Sequence, residues 1–191
     1  MVICDTGSVR QTRAAVVQPS SIANLELEVC PFVCAVDTRE QSPWTFQGIV
    51  IKRQQLIVKQ DRRTLQTGDY SIVGHENQVV IERKSAADLL GSITSGNARF
   101  RREHERMGAI VDNCGFACVI VEGDLSRICD ELDNPSGGRQ ISSNTVLGVV
   151  ATWPRRYRVP WFFAGDRRRA ELLAFRILFK WWSENGKSQN N

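Results

Sequence analysis

Gly68-Asp69-Tyr70 is followed, thirteen residues on from Asp69, by Glu82-Arg83-Lys84. Two carboxylates able to share a divalent cation, with an ammonium beside them, are the equipment for metal-assisted cleavage of a phosphodiester. The second cluster closes the β-branched run Val79-Val80-Ile81. Side chains alternate along a strand, so Glu82 and Lys84 point to one face and Arg83 to the other. A third acid, Asp37, ends the short apolar run Cys34-Ala35-Val36.

For Asp69 to reach Glu82 the chain between them must fold back. Tyr70-Ser71-Ile72-Val73 and Gln78-Val79-Val80-Ile81 read as strands, and Gly74-His75-Glu76-Asn77 are turn formers between them. Ser85 with Asp88 three residues on makes a helix cap, with Leu89, Leu90 and Ile93 turned to the core. A second helix is predicted over 97–112, where Phe100, His104 and Met107 share a face. That placement favours His104 as a core residue over a catalytic one. Residues 116–122 read as a buried strand, 123–126 as the start of a connection and 133–139 as a loop.

Ser142-Ser143-Asn144 caps a further helix to about Trp153, limited by Pro154, and 159–164 form a late strand. Asp166 caps a last helix ending near Glu184. Its Leu172, Leu173, Phe175, Ile177, Leu178, Phe179, Trp181 and Trp182 cover more than one stripe, so it is either deeply packed or a partner surface, such as a homodimer interface. Upstream, 56–59 read as a strand, a short strand is expected near 25–29, and 45–55 carry no assignment. Alternating strands and helices predict an α/β fold: a mixed central sheet flanked by helices on both faces.

Several of these segments together resemble a known family. Val36-Asp37-Thr38-Arg39-Glu40, Gly68-Asp69-Tyr70 and Ile81-Glu82-Arg83-Lys84-Ser85 with Asp88-Leu89, in that order, are similar to the nuclease domain of the XPF-type structure-specific endonucleases. So are Gly91-Ser92-Ile93, Gly96-Asn97-Ala98-Arg99-Phe100 and the apolar run closed by Glu122. The resemblance covers roughly residues 31–182, lies within the PD-(D/E)XK superfamily and implies a restriction-endonuclease-like fold.

The resemblance implies a divalent-metal-dependent DNA endonuclease with Mg²⁺, or Mn²⁺ in its place, held by Asp37, Asp69 and Glu82. Lys84 would orient a water or neutralise charge on the phosphate. Arg39, Arg83 and Asp88 carry over as active-site neighbours. Arg83 has Asp88, Glu40 or a phosphate as partners, and Asp88 is as much a helix cap as a functional group. Trp44 reads better as core packing than as a base-stacking platform. One or two ions remain equally open. Cellular members continue into helix-hairpin-helix repeats absent from this sequence, so the stand-alone bacterial or phage form is the expected relative. The rival readings are a non-catalytic DNA-binding scaffold of the same fold and a resolvase of another PD-(D/E)XK branch.

Size and composition agree with one domain. The chain has 191 residues, is 42% apolar and carries a formal charge of +4. The expected organisation is a mobile leader over 1–29, the domain over 30–184 and a polar tail over 185–191. No apolar run approaches the ~20 residues of a membrane span, and no signal peptide is evident, so an intracellular protein is expected. Of the six cysteines, Cys34 and Cys118 lie in strand-like apolar runs, which favours core thiols over a zinc site. Arginine outnumbers lysine, as suits phosphate contact by a planar fork. Arg99, Arg101 and Arg102 beside the catalytic strand, and Arg62 and Arg63, are the candidate nucleic-acid contacts. Phosphate contacts position DNA without reading its sequence, which suits selection by shape at flaps, forks or junctions.

Overall fold

The structure, a computed structural model, describes residues 26–134 and 141–186. Its longest apolar strand is β8 (Phe116–Glu122), whose Cys118 and Ile120 enter one core and whose Ala117, Val119 and Val121 enter another, all fully buried. Such near-continuous hydrophobicity marks a strand covered on both faces. β8 runs parallel to β7 (Val79–Ser85) on one side and to β9 (Trp161–Phe163) on the other. Beyond β7 lie β6 (Tyr70–Ile72), β2 (Cys34–Asp37) and β5 (Gln60–Arg63), completing a six-stranded mixed sheet in the order β5-β2-β6-β7-β8-β9. The expected β6–β7 hairpin is antiparallel, pairing Tyr70 with Ile81.

Helices cover both faces. On one side α1 (Ala86–Ile93), α2 (Asn97–Asp112), α3 (Leu125–Asp133) and α4 (Ser143–Tyr157) enclose Leu89, Phe100, Met107, Ile128 and Trp153. On the other, α5 (Arg167–Asn185) lays Ala170, Ala174, Phe175 and Leu178 over Trp44, Phe46 and Tyr70. Leu172, Leu173, Ile177, Phe179, Trp181 and Trp182 pack partly buried against the same core. Deep packing therefore accounts for the broad apolar face of α5. Among the described residues the exposed large hydrophobics lie elsewhere, at Leu27, Val29, Val50, Ile57 and Leu147, so of the two readings of α5 the structure favours packing over a partner surface.

Residues 45–59 differ most from expectation. Ile49–Ile51 is β3 and Gln54–Ile57 is β4, an antiparallel pair; with Glu26–Val29, β1, they form a second sheet in the order β1-β4-β3. The expected strand over 56–59 is cut after Ile57. β1 pairs parallel with β4, and β2 with β5, so two long chain stretches run side by side through both sheets. Between the paired segments lie four residues, 30–33, on one stretch and two, 58–59, on the other. Pro31, without an N–H, interrupts the ladder there.

Pro154 does not end α4. The helix runs a further turn to Tyr157 and stops at Arg158 in the left-handed region (φ 57°). A proline inside a helix costs about 3 kcal/mol. Trp153 and Tyr157, which flank it, are both buried, and that packing holds the last turn in place. α3 was not expected. Asp124 caps it, accepting from the Arg127 N–H, and Ile128 and Leu132 bury one stripe. β9 is shorter than the strand expected over 159–164. Of the expected leader, 26–29 form β1, while 1–25 lie outside the described residues, as do 135–139 of the expected loop and 187–191 of the tail.

Candidate active site

Asp69 is held by main-chain bonds on both sides. Its N–H donates to the Ile81 carbonyl at 2.9 Å, and its carbonyl accepts from the Asp37 N–H at 2.9 Å. The residue before it must be glycine. Gly68 has φ +72°, and a Cβ there would lie 3.1 Å from the Ile81 oxygen and 3.2 Å from the Val80 Cβ. Asp69 Oδ2 accepts from the Arg83 N–H at 2.7 Å. The strand carrying Glu82 thus aims the Asp69 carboxylate.

Glu82 and Lys84 share the face covered by α1 and α2, as strand alternation requires. Lys84 Nζ donates to Glu82 Oε1 at 2.6 Å and lies 5.1 Å from the centre of the Phe100 ring. Asp69, Glu82 and Lys84 line a cleft of ≈ 690 Å³, together with Arg39, Glu40, Arg83, Asp88, Arg99 and Glu103. Small residues also line it: Gly91 and Ser92 near the end of α1, and Ser95 and Gly96 between α1 and α2.

Burial, and then the Glu82 charge, push the Asp69 carboxyl well above its ordinary pKa. Glu82 is raised by burial too, against the pull of Lys84. Burial works against the Lys84 ammonium, yet Glu82 and Asp69 hold its pKa above the usual value. Two crowded, desolvated carboxylates are unfavourable until a cation joins them. Among the described residues Asp69 Oδ1 and Glu82 Oε2 accept no hydrogen bond, while no buried side-chain polar atom lacks a partner. Both oxygens therefore open to the cleft. Hard oxygen donors of this kind suit Mg²⁺ or Mn²⁺.

Asp37, the expected third ligand, is not in this group. Its carboxylate is fully buried and accepts four N–H bonds: Arg39 N and Nε on Oδ1 (both 2.7 Å), Arg39 NH2 and Leu65 N on Oδ2 (both 2.8 Å). Burial disfavours its charge, but these donors outweigh burial and hold the carboxyl below its ordinary pKa. Among the described residues no three His, Cys, Asp or Glu side chains are grouped to hold an ion. Asp37 instead fixes Arg39, which lines the cleft and also bonds the Leu65 carbonyl.

Arg83 points to the opposite face from Glu82, into an ionic cluster. It donates from Nε and NH2 to the two oxygens of Glu122, at 2.8 Å each, and from NH1 to Glu40 at 3.0 Å. Of its expected partners Glu40 is present and Asp88 is not. Glu122 also accepts from Trp44 Nε1 at 2.7 Å and from Arg167 at 3.3 Å, and Arg167 holds the carbonyls of Ser42 and Pro43. Trp44 is a core residue, stacked 4.5 Å from Tyr70. His104 is likewise in the core, between the Phe100 carbonyl and the Trp161 indole N–H. Cys34 and Cys118 are core thiols, pushed up in pKa by burial.

Asp88 caps α1 with Ser85, at 3.1 Å from its N–H to the Ser85 hydroxyl, and faces the cleft as well. Arg99 lines the cleft, Arg102 is exposed, and Arg101 lies 5.8 Å over the Trp153 ring. Arg62 and Arg63 stand apart. Arg62 binds the carbonyls of Thr38 and Glu40, and Arg63 pairs with Asp61 and Glu76, so internal partners occupy both.

Glu122 and Glu103 escaped the sequence reading. Glu122 had a signal: it closes a buried strand, as Asp37 does. Glu103 had none that set it apart from Glu105.

A mixed sheet with helices on both faces, with one acid just before β6 and an acid and a lysine on the neighbouring β7, defines a restriction-endonuclease-like domain. The chain belongs to the ERCC4 domain family, whose model matches residues 36–174, and its domain is of the DNA nuclease type. It is similar in structure to XPF from Aeropyrum pernix, with TM-score 0.55 and 18% identity over 83% of this chain and 64% of that one. It is also similar to XPF from Aeropyrum pernix in complex with DNA, with TM-score 0.53 and 19% identity over 80% and 66%. At that identity the likeness is one of fold, and the chain spans less than two thirds of the length of either structure. No curated protein sequence matches it.

Proposed function

We propose that the protein is a divalent-metal-dependent DNA endonuclease, acting on branched or flapped DNA. The observation that carries this reading is the pair of cleft-facing oxygens, Asp69 Oδ1 and Glu82 Oε2, on a half-buried and a buried acid beside Lys84. Asp69 and Glu82 would hold Mg²⁺ or Mn²⁺, with Asp37 acting through Arg39. When bound, the ion supplies Lewis-acid polarisation of the phosphate and a lowered pKa for its water. Lys84 places a positive charge where negative charge grows on the phosphate. Arg39 and Arg99, at the cleft wall, grip flanking phosphates, and Arg101 and Arg102 extend that basic path along α2. Such contacts read shape and charge rather than base sequence. The XPF structure in complex with DNA supports DNA as the partner.

The test is cleavage of flap, fork, four-way-junction and plain duplex DNA in Mg²⁺, Mn²⁺ and EDTA. Metal-dependent cutting that prefers branched DNA is expected. Glu82→Ala and Lys84→Ala should each lower it by about 10²-fold or more while DNA binding persists. Binding without cutting in any metal would make the protein a scaffold and overturn the reading.

A further inference from the structure

We propose that Glu103, on α2, is a positioning residue for Asp69. This rests on the reading of Asp69 as a metal ligand. Glu103 Oε1 accepts the Gly68 N–H at 2.9 Å, and Arg106 pairs with Oε2 from the next turn. Gly68 is the left-handed residue that delivers Asp69 to the cleft, and its neighbour's N–H and carbonyl are already bonded to Ile81 and Asp37. The Gly68 amide is directed instead at α2, whose Glu103 lines the same cleft and accepts it.

α2 holds Glu103 in place. Phe100, His104 and Met107 anchor that helix in the core, and Glu103 stands beside that stripe with its side chain mostly covered. An amide donating to a carboxylate makes a charge-assisted bond, about twice as strong as a neutral one. Removing the acceptor lets the turn rotate and Asp69 swing with it. Glu103 thereby couples the α2 wall, which also carries Arg99, to the metal ligand on the sheet.

The acceptor role and a direct ligand role are separable. Glu103→Gln keeps an oxygen acceptor and loses the charge; Glu103→Ala loses both. The experiment measures Mn²⁺ affinity, the Mg²⁺ midpoint and kcat and KM for fork DNA, and the Gly68 amide proton shift in glycine-labelled protein. Glu103→Gln is expected to keep the Gly68 amide downfield and to stay within about threefold of wild type. Glu103→Ala should move that amide upfield and raise the metal midpoint about tenfold, the size of one lost hydrogen bond to a charged group, with KM for DNA unchanged. Equal impairment of the two variants would make the charge itself the requirement and overturn the proposal. So would a wild-type midpoint in Glu103→Ala. If the wild type cuts no DNA at all, the nuclease reading fails, while Mn²⁺ affinity and the Gly68 shift still decide the role of Glu103.

Discussion

Arg83 and Glu122 meet through two parallel hydrogen bonds of 2.8 Å, on the face of the sheet opposite Glu82 and Lys84. The central strand therefore carries reactive groups on one side and an ionic anchor on the other. Glu122 also receives Trp44 and Arg167, so one carboxylate ties together β7, β8, the loop after β2 and the start of α5. Glu122→Ala leaves the part-buried Arg83 with Glu40 alone and takes the acceptor from Trp44 and Arg167. The variant should therefore destabilise the fold by about 2 kcal/mol, the size of lost hydrogen bonds to a charged group. Urea unfolding checks this, and a loss under about 1 kcal/mol, typical of a surface pair, would contradict it.

Gly68→Ala combines a left-handed backbone with a Cβ 3.1 Å from the Ile81 carbonyl oxygen. The expected loss is about 2 kcal/mol, from conformational strain and crowding together. Because the strain falls on the residue before Asp69, cleavage should fall further than stability. Circular dichroism with cleavage rates on the same samples separates the two, and full activity in a destabilised variant would count against the assigned geometry.

Asp37→Asn distinguishes an anchor from a ligand. Asp37 is bonded to Arg39 and Leu65, so the variant should weaken DNA affinity or turnover through Arg39 and leave Mn²⁺ affinity within about twofold of wild type, well under the tenfold of one lost charged contact. Calorimetric titration with Mn²⁺ measures this. A loss of affinity as large as that of Glu82→Gln would restore Asp37 to the coordination sphere.

His104 makes stability depend on pH. Its Nδ1–H donates to the Phe100 carbonyl and its Nε2 accepts from Trp161, which fixes the neutral ring. Burial among Phe100, Trp153, Tyr157 and Trp161 pushes its pKa down to about 4, with Glu103 and Lys84 the charged groups that act on it. The unfolded ring titrates near 6.5 and so binds more protons than the folded one between pH 4 and 6.5. The stabilisation is full above that window and falls as pH drops through it. The advantage of wild type over His104→Gln should shrink by about 2 kcal/mol between pH 7 and 4.5. A pH-independent difference in urea unfolding would contradict the neutral assignment.

Local signals made much of this architecture legible. The β-branched run before Glu82 fixed the phase of its strand, the Ser85–Asp88 cap opened α1, and α2 follows its expected range of 97–112. The missed hairpin of β3 and β4 turns at Lys52 and Arg53, both with positive φ (49° and 69°). Such turns are normally signalled by Asn or Gly, and two long basic residues gave no such sign. Pro154 was outweighed by aromatic burial on either side of it. At the site, the sequence named the acids but not their partners. Asp37 and Glu82 both follow apolar runs, and only the fold decides that one meets Arg39 while the other faces the cleft.

The central claim is that Asp69 and Glu82 share one divalent cation. Mn²⁺ titration of the full chain, followed by electron paramagnetic resonance, tests it most directly, comparing wild type with Asp69→Asn and Glu82→Gln. Saturable binding in the wild type, weakened about tenfold or more in each variant, is the predicted result. Equal Mn²⁺ affinity in all three proteins would contradict it.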